Sequence, residues 1–410
     1  MKKKIIGIVI LVIALCMMIV SFITIKKRKE QERIEREKIE NPKIEVTLKS
    51  DLTLEFLDEK KVSDYIVDIN GEIIDNYTID STNLGTQTIE FKFINEDGVT
   101  INYSYEIEVV DTVAPLAFVN SKYYIKKGGS KKFYKNIFCG DNYDPNPNCY
   151  IEGDYDVNTN GVYPVTFKAV DNSGNTYSKN IEVIVYTPSK GSGSSTSTST
   201  KKAKTYFSDV IKKHKTEHTK IGLDVSKWQG KIDFDKLKAS GVEFIFIRVG
   251  WGYQGEYKLD EQFERNISEA NRVGIPVGIY FYSYASTPLE SVNDAVWVVE
   301  QLKGYKVDLP IAFDWEEWSD FNDYNVSFYG LTNTAETFLD GVGMAGYDGL
   351  LYSSKNYLEK IWLDTDYEIW LAHYTSKTDY SGEYRFWQLC SNGRVDGIKG
   401  DVDINVWYLD

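Results

Sequence analysis

The chain has 410 residues, a length that corresponds to roughly two to four domains. Hydrophobic residues make up 42% and charged residues 26% of it, proportions typical of folded domains and not of disordered segments. The net charge of −14 argues against a nucleic-acid partner, and three His and four Cys leave little material for a metal centre. We therefore expect no nucleic acid, no metal and no cofactor.

The N-terminal segment is predicted to be a membrane anchor. Residues 5–25 contain no charged side chain, and a helix of that length, at about 1.5 Å per residue, crosses the roughly 30 Å hydrocarbon core of a bilayer. Because no small-residue cleavage pattern follows, we expect residues 1–25 to form a cytoplasmic tip and an uncleaved signal anchor rather than a removed signal peptide. Basic residues are more numerous after the span than before it, so charge alone does not place the later domains outside the cell.

A helical stalk is predicted for residues 26–42. Basic and acidic side chains alternate there in pairs four apart, such as Arg33 and Glu37, which stabilise a solvent-exposed helix. Asn41 precedes Pro42, and the residue before a proline avoids helical angles, so the helix is expected to end at this point.

Two copies of a β-rich module follow the stalk. Polar and apolar residues alternate, as they do in half-buried strands, and a stretch that begins at Gly85 recurs 76 positions later, at Gly161. Residues 43–111 and 112–186 are therefore predicted to be two small all-β sandwiches. The joint at residues 111–115 resembles the linker of bacterial immunoglobulin-like repeats. We expect the pair to act as a spacer.

Two cysteines lie ten positions apart in the second module. Outside the cell, Cys139 and Cys149 are predicted to close a disulfide, the alternative being two reduced, partly buried thiols. Residues 187–220 begin with a tract of Gly, Ser, Thr and Lys, and this segment is predicted to be a flexible linker.

Residues 221–410 show short apolar strands separated by amphipathic stretches. The early alternation of strand and helix predicts a parallel sheet, and eight strands suggest a closed α/β barrel in which the last third leaves little room for helices. The predicted strands lie near 221–226, 244–250, 277–284, 311–316, 349–354, 368–374, 386–390 and 401–407, and the predicted helices near 233–240, 260–273, 289–302, 331–345 and 355–361.

Acidic residues lie on three of these strands, at positions where such barrels build active sites. Asp224 ends the first strand, Asp403 lies on the eighth, and Asp314 and Glu316 end the fourth. Asp314 and Glu316 are two apart on a strand, so their side chains point to the same face. Two neighbouring carboxylates raise each other's pKa, so that one stays protonated while the other is ionised, as glycoside hydrolysis requires.

The same stretch resembles the glycoside hydrolase family 25 muramidases, the Chalaropsis-type lysozymes. Their fold is a flattened β/α barrel with a reduced helix count, and the resemblance implies hydrolysis of the β-1,4 bond between N-acetylmuramic acid and N-acetylglucosamine in peptidoglycan. It rests on seven ordered motifs, at residues 222–230 (GLDVSKWQG), 244–248 (FIFIR), 276–282 (PVGIYFY), 314–316 (DWE), 370–374 (WLAHY), 387–388 (WQ) and 402–405 (VDIN).

Roles for individual residues follow from this resemblance by position. Glu316 is implied to be the general acid/base, with Asp314 orienting the substrate acetamido group or stabilising the developing positive charge. Asp224 and Asp403 are implied to complete the acidic floor. Phe281 stands where members often carry His, at a position expected to be structural. Substrate contacts are implied for Arg248, Tyr280, Tyr282, Tyr352, Trp370, Tyr374 and Gln388.

Together these expectations describe a single-pass membrane protein whose C-terminal domains face the cell wall and bind peptidoglycan glycan strands. The alternative is a catalytically silent wall-binding or scaffold protein that uses the same domain for glycan recognition. Three other motifs carry less weight: a G-x-G-x-x-G run at 250–255 without a helix at its last Gly, an H-x-x-E-H run at 214–218 without a third ligand, and a chitinase-like run in which Ala312 replaces an acid.

Overall fold

The computed structural model describes residues 1–188 and 203–409. The chain divides into two compact units, Met1–Thr112 and Val113–Asp410. Residues 189–202 of the predicted linker lie outside the described residues.

The N-terminal helix α1 runs without interruption over Lys2–Glu40. The apolar span and the charged stalk are therefore one helix, which ends before Asn41 as expected, and Arg33 pairs with Glu37 at 3.6 Å. By length and composition, α1 is the one helix among the described residues that could cross a membrane.

Each predicted β-module contains a four-stranded and a two-stranded sheet. In the first module the strands are β1 (Val46–Leu48), β2 (Thr53–Glu55), β3 (Ile66–Ile69), β4 (Gly71–Ile73), β5 (Gly85–Asn95) and β6 (Thr100–Val110), with a 3₁₀ turn at Val62–Tyr65. In the second they are β7 (Leu116–Ala117), β8 (Lys122–Lys126), β9 (Cys139–Gly140), β10 (Asn148–Glu152), β11 (Gly161–Val170) and β12 (Thr176–Tyr186), with a 3₁₀ turn at Phe133–Asn136. The strand orders are β2-β6-β5-β4 with β1-β3 in the first module, and β8-β12-β11-β10 with β7-β9 in the second.

The sequence repeat is thus a repeat of topology. Gly85 and Gly161, which the repeat aligns, begin β5 and β11, the first strands of the two long hairpins. In both modules a short edge strand adds to the hairpin in parallel. Each hairpin alternates buried and exposed residues, and the buried face forms the core of its own module.

The C-terminal domain contains the predicted strands and helices, with a few additional elements. Its strands are β13 (Thr205–Tyr206), β14 (Thr219–Val225), β15 (Ile245–Tyr253), β16 (Glu256–Leu259), β17 (Val277–Ser283), β18 (Ile311–Asp314), β19 (Gly349–Ser354), β20 (Glu368–Ala372), β21 (Phe386–Arg394) and β22 (Val402–Tyr408). Its helices are α2 (Phe207–His214), α3 (Phe234–Ala239), α4 (Phe263–Val273), α5 (Pro288–Gln301), α6 (Phe321–Tyr324), α7 (Phe328–Met344) and α8 (Lys355–Leu358), with a 3₁₀ turn at Lys227–Gln229.

Strand pairing in this domain follows a closed circuit within the described residues. It runs from β14 through β15, β17, β18, β19, β20 and β21 to β22, which pairs again with β14. Every pair is parallel except those of β22, which is antiparallel to both neighbours. The N-terminal end of β22 therefore meets the C-terminal ends of the other strands, and this places Asp403 directly opposite Asp224.

The predicted end of the linker is wrong. The linker does not reach residue 220, because α2 begins at Phe207 and buries both Phe207 and Val210. The second module belongs to the same compact unit as the C-terminal domain.

Alternating side chains along the circuit separate two apolar cores. One set of residues faces the helices. The other set faces the interior of the circuit and forms a second apolar core, which includes Phe244, Phe246, Trp370 and Phe386. Glycine makes room for these rings, because a Cβ at Gly278 would lie 2.3 Å from the ring of Phe246. The interior is therefore apolar toward one end of the strands, and it becomes polar toward the other.

Candidate active site

The polar end of the circuit holds a cavity of about 260 Å³. All four predicted acids and all seven predicted substrate contacts line it. Its lining consists of Asp224, Ser226, Trp228, Gln229, Arg248, Tyr280, Tyr282, Asp314, Glu316, Tyr352, Trp370, Tyr374, Gln388 and Asp403.

The period of two along each strand explains this convergence. On β15, Phe246 faces the interior core, and Arg248, two residues later, faces the cavity. On β18, Ala312 is likewise followed by Asp314. Parallel strands in register bring these residues to one level, since Asp314 pairs with Tyr282 on one side and with Tyr352 on the other.

Asp224 is buried and held by two amide side chains. Its Oδ2 accepts hydrogen bonds from Gln388 Nε2 at 2.9 Å and from Asn405 Nδ2 at 2.8 Å. Burial raises the pKa of Asp224 to about 6, although both hydrogen bonds oppose the rise. The amides are oriented in turn, because Gln388 accepts from the hydroxyls of Tyr352 and Tyr374 at 2.9 and 3.0 Å.

Asp314 and Glu316 sit where the fourth strand of the circuit ends. Burial and the neighbouring charges of Glu316 and Asp224 hold the pKa of Asp314 well above its ordinary value, while the Arg248 guanidinium opposes the shift. Burial also raises the pKa of Glu316, and the Tyr352 hydroxyl opposes that rise. Among the described residues, Oδ1 of Asp314 has no hydrogen-bond partner. The pair therefore supplies two carboxyl groups that hold a proton more readily than ordinary ones, and a buried oxygen without a partner among the described residues.

Asp403 completes the acidic group from the antiparallel strand. Burial, followed by the charge of Asp224 opposite it, raises the pKa of Asp403 to about 9. The shared cavity therefore retains protons near neutral pH, because several carboxylates cannot all be ionised so close together in a buried site.

Arg248 reaches the cavity but is already paired. Its Nε and Nη2 donate to the same Oδ2 of Asp260, at 2.9 and 2.7 Å, and Asp260 is itself buried. This pair fixes the guanidinium beside the acids. Sequence reasoning missed Asp260, because it follows a β-hairpin and is remote from the motifs in the chain.

The aromatic residues divide into buried and exposed ones. Trp370 is only 1% exposed; it stacks on Phe246 at 4.4 Å, and its Nε1 donates to Asn405. It therefore supports the floor of the cavity more than it offers an open face. By contrast, Tyr374 is 56% and Trp228 is 76% exposed. Phe281 is fully buried against Phe338, which agrees with the structural role expected for it.

Trp228 belongs to the motif at residues 222–230, but the sequence does not predict its position at the rim of the cavity. The turn that presents it is a capping box, in which Ser226 and Gln229 bond reciprocally to each other's backbone. The spacing Ser-x-x-Gln before a helical turn is a readable signal for that arrangement.

The remaining sequence signals have structural explanations. The glycine-rich run at 250–255 forms the end of β15 and the turn into β16. His214 packs edge-on against Trp387 at 5.4 Å at the end of α2, whereas His218 is exposed. Cys139 and Cys149 form a disulfide in the second module.

The chain is similar to several known proteins. Residues 223–398 match the sequence profile described as Glycosyl hydrolases family 25. The autolytic lysozyme of Clostridium acetobutylicum is 26% identical over 187 residues, which are 45% of this chain and 54% of that protein. The uncharacterized protein YegX of Escherichia coli K12 is 30% identical over 200 residues, which are 46% of this chain and 70% of that protein.

Among solved structures, the modular autolysin LytC from Streptococcus pneumoniae, in complex with a synthetic peptidoglycan ligand, is 27% identical with a TM-score of 0.42, and the match covers 59% of this chain and 56% of that one. The chain thus spans about half the length of the Clostridium relative. On the profile match and the similarity to YegX, the chain belongs to glycosyl hydrolases family 25.

Proposed function

We propose that this chain is a muramidase that cleaves the β-1,4 bond between N-acetylmuramic acid and N-acetylglucosamine in peptidoglycan. The observation that carries the proposal is the single cavity in which Asp314 and Glu316, both with raised pKa, face Asp224 and Asp403. The lysozyme name of the Clostridium relative supports the same activity.

In this proposal Glu316 is the general acid. Its raised pKa keeps a proton available for the glycosidic oxygen, and the carboxylate that remains then takes a proton from the attacking water. Asp314 has a buried oxygen without a partner among the described residues, and the acetamido N–H of the substrate would supply one. Asp224, whose pKa is about 6, holds negative charge near the sugar that becomes positive in the transition state, and Asp403, whose pKa is about 9, stays protonated beside it.

Sugar binding is assigned to the rim and walls of the cavity. Tyr374 and Trp228 offer exposed aromatic faces, which suit the apolar faces of pyranose rings. Tyr282 donates to Glu317 at 2.8 Å, so its ring is held at the wall. The polar floor beneath the sugar is proposed to be formed by five further residues, Tyr280, Tyr352, Gln388, Trp370 and Arg248.

The finer architecture belongs to the same proposal. The closed pairing circuit with few helices after β19 supports a flattened β/α barrel. The paired sheets of the two modules support immunoglobulin-like sandwiches. Helix α1 is proposed to be a single-pass anchor, with the C-terminal domains outside the cell facing the wall, because the substrate is there.

Glu316→Gln in the full-length chain is the test of this function. It removes the proton and keeps the shape, so hydrolysis of peptidoglycan should fall by on the order of a hundredfold or more. The matched control is Glu264→Gln on the exposed face of α4, which should hydrolyse like the parent chain. Equal hydrolysis by Glu316→Gln and the parent contradicts the proposal. Wall binding without hydrolysis by either protein favours the silent wall-binding alternative.

A further inference from the structure

The segment that carries Glu316 is held by a buried aromatic cluster. Residues 315–327 connect β18 to α7, and Trp315, next to Glu316, is fully buried. The backbone on both sides of Trp315 is therefore fixed through its indole ring. That ring lies 4.7 Å from the ring of Trp318, 5.3 Å from Tyr324 and 6.0 Å from Phe321.

Phe138 of the second β-module completes this cluster. Its ring lies 4.8 Å from that of Phe321, and it stacks on Phe118 of its own module at 4.7 Å. Phe138 is 8% exposed and belongs to the hydrophobic core of the C-terminal domain, although its neighbours Ile137 and Cys139 belong to the core of the module. Phe138 is thus inserted into the neighbouring domain, and Leu116 and Phe118 of the module also pack against that domain's core.

Hydrogen bonds fix the same contact. Asn322 accepts from the amide of Cys139 at 3.0 Å and donates to the carbonyl of Ile137 at 2.9 Å, so it brackets Phe138. The carbonyl of Asp141 accepts from the amide of Phe328 at 2.8 Å, at the first turn of α7, where amides lack partners within the helix.

At Gly140 the approach between the two domains leaves no room for a side chain. A Cβ at Gly140 would lie 2.6 Å from the ring of Phe328 and 2.7 Å from that of Phe321. At such short distances the two domains must pack as closely as side chains do in a protein interior. The disulfide of Cys139 holds the strand that carries this contact.

We infer that Phe138 is a positioning residue for Glu316, and that the second β-module is a structural part of the catalytic centre. Phe138 does not touch the cavity; it acts on Glu316 through Phe321 and Trp315. The inference rests on the proposed hydrolase function. It adds that this activity depends on a residue about 180 positions before Glu316, outside the part of the chain that matches the family profile.

Phe138→Ala in the full-length chain tests the inference on soluble, un-cross-linked glycan strands. Loosening the 315–327 segment misplaces Glu316, so kcat should fall on the order of tenfold to a hundredfold, while KM stays within about twofold. Glu316 also becomes better hydrated, its pKa falls, and the alkaline limb of the pH profile should move to lower pH. Phe138→Leu, which keeps much of the apolar volume, should recover most of kcat.

Phe133→Ala is the matched control. It removes the same ring from the same module, where Phe133 packs against Tyr123 at 4.9 Å and not against the C-terminal domain. Its kcat should match that of the parent chain. Equal losses in the two variants would reduce the effect to general damage to the module and overturn the inference, and so would full activity of Phe138→Ala.

Amide hydrogen exchange of residues 315–327 separates this inference from the proposed function. Phe138→Ala should speed exchange there and Phe133→Ala should not, whether or not the parent chain hydrolyses glycan. Unchanged exchange in Phe138→Ala overturns the inference alone, and an inactive parent chain overturns the proposed function alone. If Phe138→Ala does not fold, Asn322→Ala gives the same comparison from the other side of the contact, and unchanged kcat and exchange in that variant overturn the inference.

Discussion

At the scale of single residues, the proposed mechanism depends on how its surroundings set the pKa of Glu316. Burial and the charges of Asp224 and Glu317 raise this pKa, and the hydroxyl of Tyr352 lowers it. A general acid must be protonated to act, so the alkaline limb of the activity profile follows this pKa. Removing a neighbour that raises this pKa should therefore move the alkaline limb to lower pH, and removing one that lowers it should move the limb to higher pH.

Glu317→Gln and Tyr352→Phe test this directly. Removing the Glu317 charge lowers the pKa of Glu316, so activity should be lost at lower pH than in the parent chain. Removing the Tyr352 hydroxyl raises the pKa, so activity should persist to higher pH, although kcat itself falls because Gln388 loses a donor. The measurement is kcat against pH for the three proteins, and shifts in the same direction for both variants would contradict this account of the site.

The cavity residues could be predicted because the motif residues alternate on strands. A period of two and the rule of strand ends are enough to bring Asp224, Asp314 and Glu316 together. Asp260 could not be predicted in this way, because its pairing with Arg248 depends on how the β15–β16 hairpin folds back. The docking of Phe138 could not be predicted either, because it joins segments that are distant in the chain. The burial of Trp370 could not be predicted from the sequence either, because an aromatic residue on a strand can pack in the core or stack on a sugar ring.

At the scale of elements, small side chains on the inner face of the circuit lie opposite large ones on neighbouring strands, as Gly278 lies against Phe246. Short strands with clear periodicity were predicted within a few residues. Helix α2 was missed because it is short and rich in Lys, although Phe207, Val210 and Ile211 have helical spacing. The antiparallel direction of β22 was not predicted, since direction depends on the connection and not on the strand itself.

Gly278→Ala tests the matching of inner faces. Its Cβ would lie 2.3 Å from the ring of Phe246, so the variant should lower the free energy of unfolding by about 1–3 kcal/mol. Gly343→Ala on α7 is the control, because nothing lies within 4 Å of its Cβ and alanine favours a helix. Chemical denaturation of the two variants should give changes of opposite sign, and an equally stable Gly278→Ala would contradict the packing described here.

At the scale of the whole molecule, the acidity belongs to the C-terminal domain. Residues 221–410 carry 16 basic and 31 acidic side chains and all nine Trp, whereas residues 1–220 carry 31 basic and 30 acidic side chains. A domain of net charge −15 is repelled by anionic wall polymers, and a membrane anchor would supply the local concentration that charge does not.

Salt should therefore increase activity on intact walls. Raising ionic strength to the physiological range shortens the screening length to about 8 Å and weakens the repulsion. The initial rate of wall clearing by the full-length chain should rise with added salt, and the rate on uncharged soluble glycan should change little. A rate on walls that falls steadily with salt would indicate attraction and contradict the charge argument.

The identity of the new reducing ends tests the central claim most directly. After digestion of purified peptidoglycan by the full-length chain, the products are reduced with borohydride and analysed by mass spectrometry. A muramidase with Glu316 as its acid leaves reduced N-acetylmuramic acid at the new ends, and Glu316→Gln leaves almost none. Reduced N-acetylglucosamine at those ends, or equal amounts of product from both proteins, would contradict the account.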